Sequence, residues 1–168
     1  MHTITVSIFM LTYNQEAFIA QAIKGVLMQK TNFRYQLVIG EDCSTDATRQ
    51  ICEGYATQFG DRIKLLPSPA ANGGLIANYM RTIAACDGTY IAICDGDDYW
   101  IDENKLQKQV DFLNQNPSYS IVYTAVQKLF NNGQKLEYRY ETKKSPMNFE
   151  DLIFDNFIYS VTALFKNP

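Results

Sequence analysis

The chain has 168 residues, of which 46% are apolar and 20% charged, with a formal net charge of −3. That length supports one domain with a sizeable core, and the acidic balance excludes a general nucleic-acid binder, which needs a basic face to neutralise phosphates. The four cysteines form no CxxC pair and the single histidine is His2, so the chain lacks the ligand spacing of a zinc site.

Residues 3–11 (TITVSIFML) are β-rich and almost wholly apolar, as expected for a strand buried on both faces. Asn14 is placed to cap a helix, with Glu16 in its first turn. Phe18, Ile19, Ala22, Ile23, Val26 and Leu27 then recur at helical spacing. Residues 35–40 (YQLVIG) read as a second buried strand. Ser44 or Thr45 caps the next predicted helix, whose inner face is Ile51, Cys52, Tyr55 and Phe59. Residues 62–66 form a short strand, and a Pro/Gly loop follows over 67–74. Leu75, Ile76, Tyr79, Met80, Ile83 and Ala84 give a third amphipathic helix, and residues 89–94 a fourth strand.

This β-α-β-α-β-α-β order implies an α/β fold with a mostly parallel, Rossmann-like sheet and helices on both faces. A further helix is expected over 103–116, capped by Asp102. Residues 119–130 and 135–141 suggest two strands around the turn Asn131-Asn132-Gly133. A short helix over 148–154 and a final strand over 159–166 complete the chain. No repeat or linker is visible, so residues 1–168 are expected to form a single domain. Cys86 and Cys94 sit in apolar surroundings and read as small core residues, which fits a reducing, cytoplasmic compartment. The apolar run 4–11 has no basic segment before it and is too short to span a bilayer, so no integral membrane segment is expected.

Ligands of open α/β sheets bind beyond the carboxyl ends of the strands. Here the first strand exits into Thr12-Tyr13-Asn14, the second into Glu41-Asp42-Cys43-Ser44, and the fourth into Asp95-Gly96-Asp97-Asp98. Parallel strands bring all three clusters to one rim. Three carboxylates that close repel one another and need a compensating partner. Asp95-Gly96-Asp97 suits a hard divalent cation, which takes oxygen ligands and shares them with substrate phosphates, and Gly96 lets a ligand approach closely. An acidic surface loop capping the next helix is the competing account of the same residues. Asp42 is suited to accept a hydrogen bond from a nucleobase N–H or to cap a helix, and Tyr13 to stack on a base or simply to pack. Tyr99 and Trp100 are candidates for sugar stacking or for core packing. The chain has neither G-x-G-x-x-G nor GxxxxGK[ST].

With these clusters in order, the chain resembles the family 2 glycosyltransferases, which have a GT-A fold. The matching stretches are VSIFMLTYNQEAFIAQAIKGVLMQ, LVIGEDCSTDAT and GTYIAICDGDDYW, and DGDDYWIDENKLQKQVDFLNQNP looks like the branch that builds bacterial surface polysaccharides. The likeness covers essentially the whole chain. It implies inverting transfer of a sugar from a nucleotide-diphosphate donor, usually a UDP-sugar, to a saccharide or lipid-linked acceptor hydroxyl. The resemblance assigns Asp42 to the base, with Thr12, Tyr13 and Glu16 lining the nucleotide pocket. It sets Asp95 by the ribose and metal, beside Gly96, and makes Asp97 a ligand of Mn2+ or Mg2+. The implied location is cytoplasmic, at the inner face of the membrane. The chain departs from the pattern at Glu41-Asp42-Cys43-Ser44, where Asp-Asp-Gly-Ser is usual, and at Tyr79-Met80, where Arg-Asn is frequent. The family's general base follows the last strand. Glu150, Asp151 and Asp155 precede that position and are not given the role. The chain ends at Pro168, which suggests a fragment of a longer enzyme. A naturally short homologue, or a non-catalytic nucleotide-sugar or glycan-binding module, is the alternative.

Overall fold

A computed structural model describes residues 3–130, 132–138, 147–154 and 157–167. In chain order its elements are β1 (Val6–Thr12), α1 (Ile19–Leu27), β2 (Tyr35–Glu41), α2 (Thr48–Gln58), β3 (Ile63–Leu65), α3 (Gly74–Ile83), β4 (Tyr90–Ile93), α4 (Lys105–Gln115), β5 (Ile121–Val122), β6 (Val126–Leu129), β7 (Lys135–Tyr138), α5 (Phe149–Phe154) and β8 (Leu164–Lys166). Six strands form one sheet in the order β3-β2-β1-β4-β8-β5. β1 pairs in parallel with β2 on one side and β4 on the other, and β3 is parallel to β2. β8 runs antiparallel to both β4 and β5. The chain thus winds outward from β1 to β3, then returns to place β4 on the other side of β1. The strand order reverses between β1 and β4, where an open α/β sheet has its crevice.

Side-chain alternation along β1 feeds two cores, because successive residues of a strand face opposite ways. Val6, Ile8 and Met10 pack with α1, α2 and α4, through residues such as Ile23, Cys52 and Leu106. Phe9 and Leu11 face the other side, with Val38, Ile91 and Cys86 and with Ile83 at the end of α3. The expected α/β sheet with helices on both faces is present. Cys52, Cys86 and Cys94 are buried and free.

α3 turns part of its expected face outward, while Ile83 packs on the core and Tyr79 on Phe9. Leu75 is 70% exposed, Ile76 74% and Met80 61%, whereas Asn78 and Thr82 are buried. The reason is the strand beneath. A Cβ on Gly40 would run into Thr82 Oγ1 and Asn78 Oδ1, so the helix lies directly on β2 backbone. Asn78 Nδ2 donates to Gly40 O at 2.7 Å, and Arg81 donates to Glu41 O and to Pro67 O. A buried polar stripe with these partners wins over an apolar one, because the β2 carbonyls there need donors.

The expected caps of α1 and α2 are also replaced, whereas Asp102 Oδ1 accepts Asn104 N–H at 2.9 Å before α4. α1 begins at Ile19 and α2 at Thr48, without side-chain capping of the usual kind. Instead the loops after β1 and β2 interlock. Asn14 N donates to Ser44 Oγ, Thr45 N to Asn14 Oδ1, Gln15 N to Thr48 Oγ1, and Ala47 N to Glu16 Oε2. Asn14 and Cys43 take left-handed backbone (φ 51° and 61°) to make the two loops meet.

Further along, the predicted strand 119–130 is broken into β5 and β6, and β6 pairs with β7 as a separate hairpin. Asn131, residues 139–141 of the predicted second strand, and Asp155 lie outside the described residues. The predicted final strand begins with a 3-10 turn, Ser160–Thr162, before β8. There the Thr162 hydroxyl and N–H both bond Tyr159 O, at 2.6 and 2.9 Å, which diverts the backbone from the sheet.

Candidate functional site

A cleft of about 490 Å3 opens at the carboxyl ends of β1, β2 and β4. Its walls include Thr12, Tyr13 and Gln15 from the loop after β1, Asp42 from the end of β2, and Asp95 and Asp97 from the loop after β4. Asn72, Leu75 and Tyr79 line it from the α3 side, and Ser160 from the 3-10 turn. The register explains the convergence. Thr12 pairs with Glu41, so β1 and β2 end together, while β4 ends at Ile93 opposite Phe9 and its following loop continues along β1 through Cys94 N–H to Phe9 O at 3.1 Å. Gly96 N then donates to Leu11 O at 2.9 Å, holding the acidic loop against β1. A Cβ on Gly96 would meet Thr12 Oγ1 and Gln15 Oε1, so glycine is what allows this approach.

Those two oxygens are notable. Thr12 Oγ1 and Gln15 Oε1 are buried on the cleft wall without a hydrogen-bond partner among the protein groups. Buried polar atoms are normally satisfied, and an orphaned one at a cleft is suited to a ligand.

Asp42 is 3% exposed. Its carboxylate accepts Gly73 N–H at 3.1 Å and Gly74 N–H at 2.9 Å, so it caps α3 from the end of the strand that helix lies on. This is the capping role considered for it, performed on α3 instead of α2. The same carboxylate borders the cleft and retains acceptor capacity. Its neighbour Glu41 is fully buried and structural: Oε1 accepts Ser44 N–H at 2.6 Å, and Oε2 lies 3.7 Å from Arg49 Nη1, beyond hydrogen-bond reach.

The three aspartates differ in setting. Burial raises the Asp95 carboxyl to about 6, and the Asp98 and Asp97 carboxylates add to the rise. The nearby Leu11 N–H and then the Ser160 hydroxyl oppose the rise. Burial and then Asp97 raise Asp98 as well. The cluster therefore carries the repulsion expected of it and is suited to a cation. Among the described residues no three His, Cys, Asp or Glu side chains group to hold a metal ion by themselves. Asp95 and Asp97 supply hard oxygen ligands, and a cation there would complete its shell with water and phosphate oxygens, the usual habit of Mg2+.

Thr12, Tyr13, Asp42, Asp95 and Asp97 are brought together as expected, with Gly96 between them. Glu16 is not on the cleft wall, and its carboxylate takes Ala47 N–H at 2.8 Å. Trp100 is buried at 4% exposure and donates to Val161 O at 3.0 Å, so it packs and does not face the cleft. Gln15, Asn72 and Ser160 were not singled out in advance. Gln15 and Asn72 sit in loops without periodicity. A Ser and a Thr interrupting the apolar run at 157–165 were the available sign of the turn.

The family model described as Glycosyl transferase family 2 matches residues 7–166. An uncharacterized protein of Mycobacterium tuberculosis is 32% identical over 161 residues, 95% of this chain and 46% of its own length. The UDP-Glc:alpha-D-GlcNAc-diphosphoundecaprenol beta-1,3-glucosyltransferase WfgD of Escherichia coli is 36% identical over 129 residues, 76% of this chain and 48% of its own. The chain thus spans about half the length of these curated relatives. The S. aureus TarS 1-349 structure in complex with UDP superposes with a TM-score of 0.73 at 22% identity, over 97% of this chain and 47% of that one. The mannosyltransferase PcManGT of Pyrobaculum calidifontis, in complex with GDP-Man and Mn2+, gives 0.70 at 18% identity, over 98% and 45%. Both share the fold. Among the described residues no helix is long and apolar enough to cross a membrane.

Proposed function

The chain belongs to glycosyl transferase family 2, and we propose that its cleft binds a nucleotide-diphosphate sugar, a UDP-sugar in particular, for inverting transfer to an acceptor hydroxyl in surface-polysaccharide synthesis. Residues 1–168 act as one nucleotide-sugar-binding domain of GT-A type. The single observation that carries the reading is that Asp42, Asp95 and Asp97 line one cleft with Thr12, Tyr13 and Gln15 at the β1/β4 switch point.

Asp42, held by two backbone N–H groups, accepts the imide N–H of uracil, and Tyr13 stacks on the ring from the half-exposed rim. Thr12 and Gln15 border the cleft beside Tyr13 and line the nucleoside's side of it. Asp95 and Asp97 hold Mn2+ or Mg2+, a role supported by the Mn2+ complex of the Pyrobaculum mannosyltransferase. Such a cation supplies positive charge to the diphosphate as it becomes the leaving group. The acceptor oxygen attacks the anomeric carbon as the bond to the diphosphate oxygen breaks, and the acceptor proton passes to a base. None of the residues assigned here is that base. The polysaccharide role is supported by WfgD, whose acceptor is a diphosphoundecaprenol-linked sugar, and it brings the domain to the cytoplasmic membrane face.

The test is Asp97→Ala. It should abolish metal-dependent UDP binding while leaving the fold intact. Unchanged binding would remove Asp97 from the site. In a full-length protein, UDP binding without any hexosyl transfer to a lipid-linked acceptor would favour a non-catalytic module instead.

A further inference from the structure

A second buried polar cluster lies beneath the cleft. Lys105 is only 6% exposed, and Gln109, one turn further along α4, is 2% exposed. Lysine is almost never this buried without partners. Its Nζ donates to Gln109 Oε1 at 2.7 Å and stands 4.3 Å over the Trp100 ring. Burial lowers the ammonium to about 7, with Cys94 and then Asp102 opposing the shift.

The cluster has a direction. A glutamine amide has one accepting end and one donating end, and its neighbours decide which points where. As an ammonium Lys105 only donates, and the Thr162 and Val122 carbonyls only accept, so Oε1 faces the lysine and Nε2 the other way. Nε2 then donates to Thr162 O at 2.9 Å and to Val122 O at 3.3 Å. Trp100, under the same ammonium, donates to Val161 O at 3.0 Å. Both Val161 and Thr162 belong to the 3-10 turn that begins at Ser160, and Ser160 lines the cleft together with Asp95. The hydrogen bonds thus run from Lys105 through Gln109 to the turn that carries Ser160. Apolar residues would fill this volume at lower cost than a desolvated amine, so packing alone does not account for it.

We propose that Lys105 and Gln109 are positioning residues that hold the Ser160 turn in place and thereby set the wall of the nucleotide cleft that Ser160 forms. The claim about the cleft rests on the nucleotide reading given above. The clamp itself is testable without it.

Two variants separate the parts. Lys105→Met removes the donor that orients the amide. Gln109→Glu keeps an acceptor for Lys105 and removes only the donor to the turn, so it serves if Lys105→Met fails to fold. Each should speed amide hydrogen exchange selectively in the segment 159–163. Each should also weaken Mn2+-dependent UDP binding about tenfold, the effect of one lost hydrogen bond. Ser160→Ala should weaken binding similarly, and combining it with either variant should add nothing, because the clamp acts through Ser160. Unchanged exchange at 159–163, or losses that simply add, would overturn the clamp. If the unaltered chain fails to bind UDP with Mn2+ while exchange still responds, the clamp stands and the nucleotide reading alone falls.

Discussion

Asp42 is given two tasks, and Asp42→Asn reads both. Its two oxygens each accept a backbone N–H at the start of α3, from Gly73 and Gly74. Asparagine keeps one acceptor and turns an NH2 toward the other N–H, so one charge-assisted bond is lost and a buried donor is left facing a donor. A hydrogen bond to a charged group contributes about 1.5–3 kcal/mol, and an unsatisfied partner adds to the loss, so ~2–3 kcal/mol is expected. For a domain of this size each kcal/mol moves the melting temperature by about 2–4 °C, giving a fall of about 4–12 °C. The same change deprives the base N–H of a charged acceptor, which corresponds to about 10- to 150-fold weaker UDP binding. Thermal melting of the ligand-free chain and calorimetric titration of UDP separate the two. An unmoved melting temperature would refute the capping account. A lowered one with unaltered UDP affinity would refute the base contact and leave Asp42 a cap alone.

Two further outcomes follow from the geometry. The Asp95 carboxyl is raised from 3.8 to about 6, so between those values the folded chain holds a proton that the unfolded chain has shed. Its contribution to stability is therefore full below the unfolded value and is lost as pH rises through about 6. Melting of the metal-free chain and Mn2+ titrations across that window should show stability falling while Mn2+ affinity climbs, and flat profiles would remove Asp95 from both roles. Gly40→Ala drives a methyl into Thr82 Oγ1 and Asn78 Oδ1 and should cost ~1–3 kcal/mol by overpacking. A neutral result in denaturant unfolding would show that α3 does not rest on β2 as described.

Much of this architecture was legible in the chain because buried strands announce themselves. Runs such as YQLVIG and TYIAIC are mostly apolar and then stop abruptly at carboxylates. Parallel strand order follows from the alternation with helices, so the meeting of three polar exits could be expected. Contacts set by tertiary neighbours were less visible. Periodicity finds the apolar stripe of α3 but not the carbonyls of Gly40 and Glu41, which draw Asn78 and Arg81 inward. Local capping signals at Asn14, Ser44 and Thr45 were real donors and acceptors, yet they bond each other across two loops instead of their own helices. Glu16 and Gln15 differ by one position in a loop, where no periodicity decides which faces the cleft. Asp42 showed both of its possible partners in advance, but not that α3 would be the helix it caps.

The central claim is that this cleft binds a nucleoside diphosphate through a divalent cation. Calorimetric titration of UDP into the purified chain, with and without Mn2+, tests it most directly. Saturable binding that requires Mn2+ and vanishes in Asp97→Ala is the predicted result. Equal binding in the presence of a chelator, or no binding of UDP, GDP or dTDP under either condition, would contradict it.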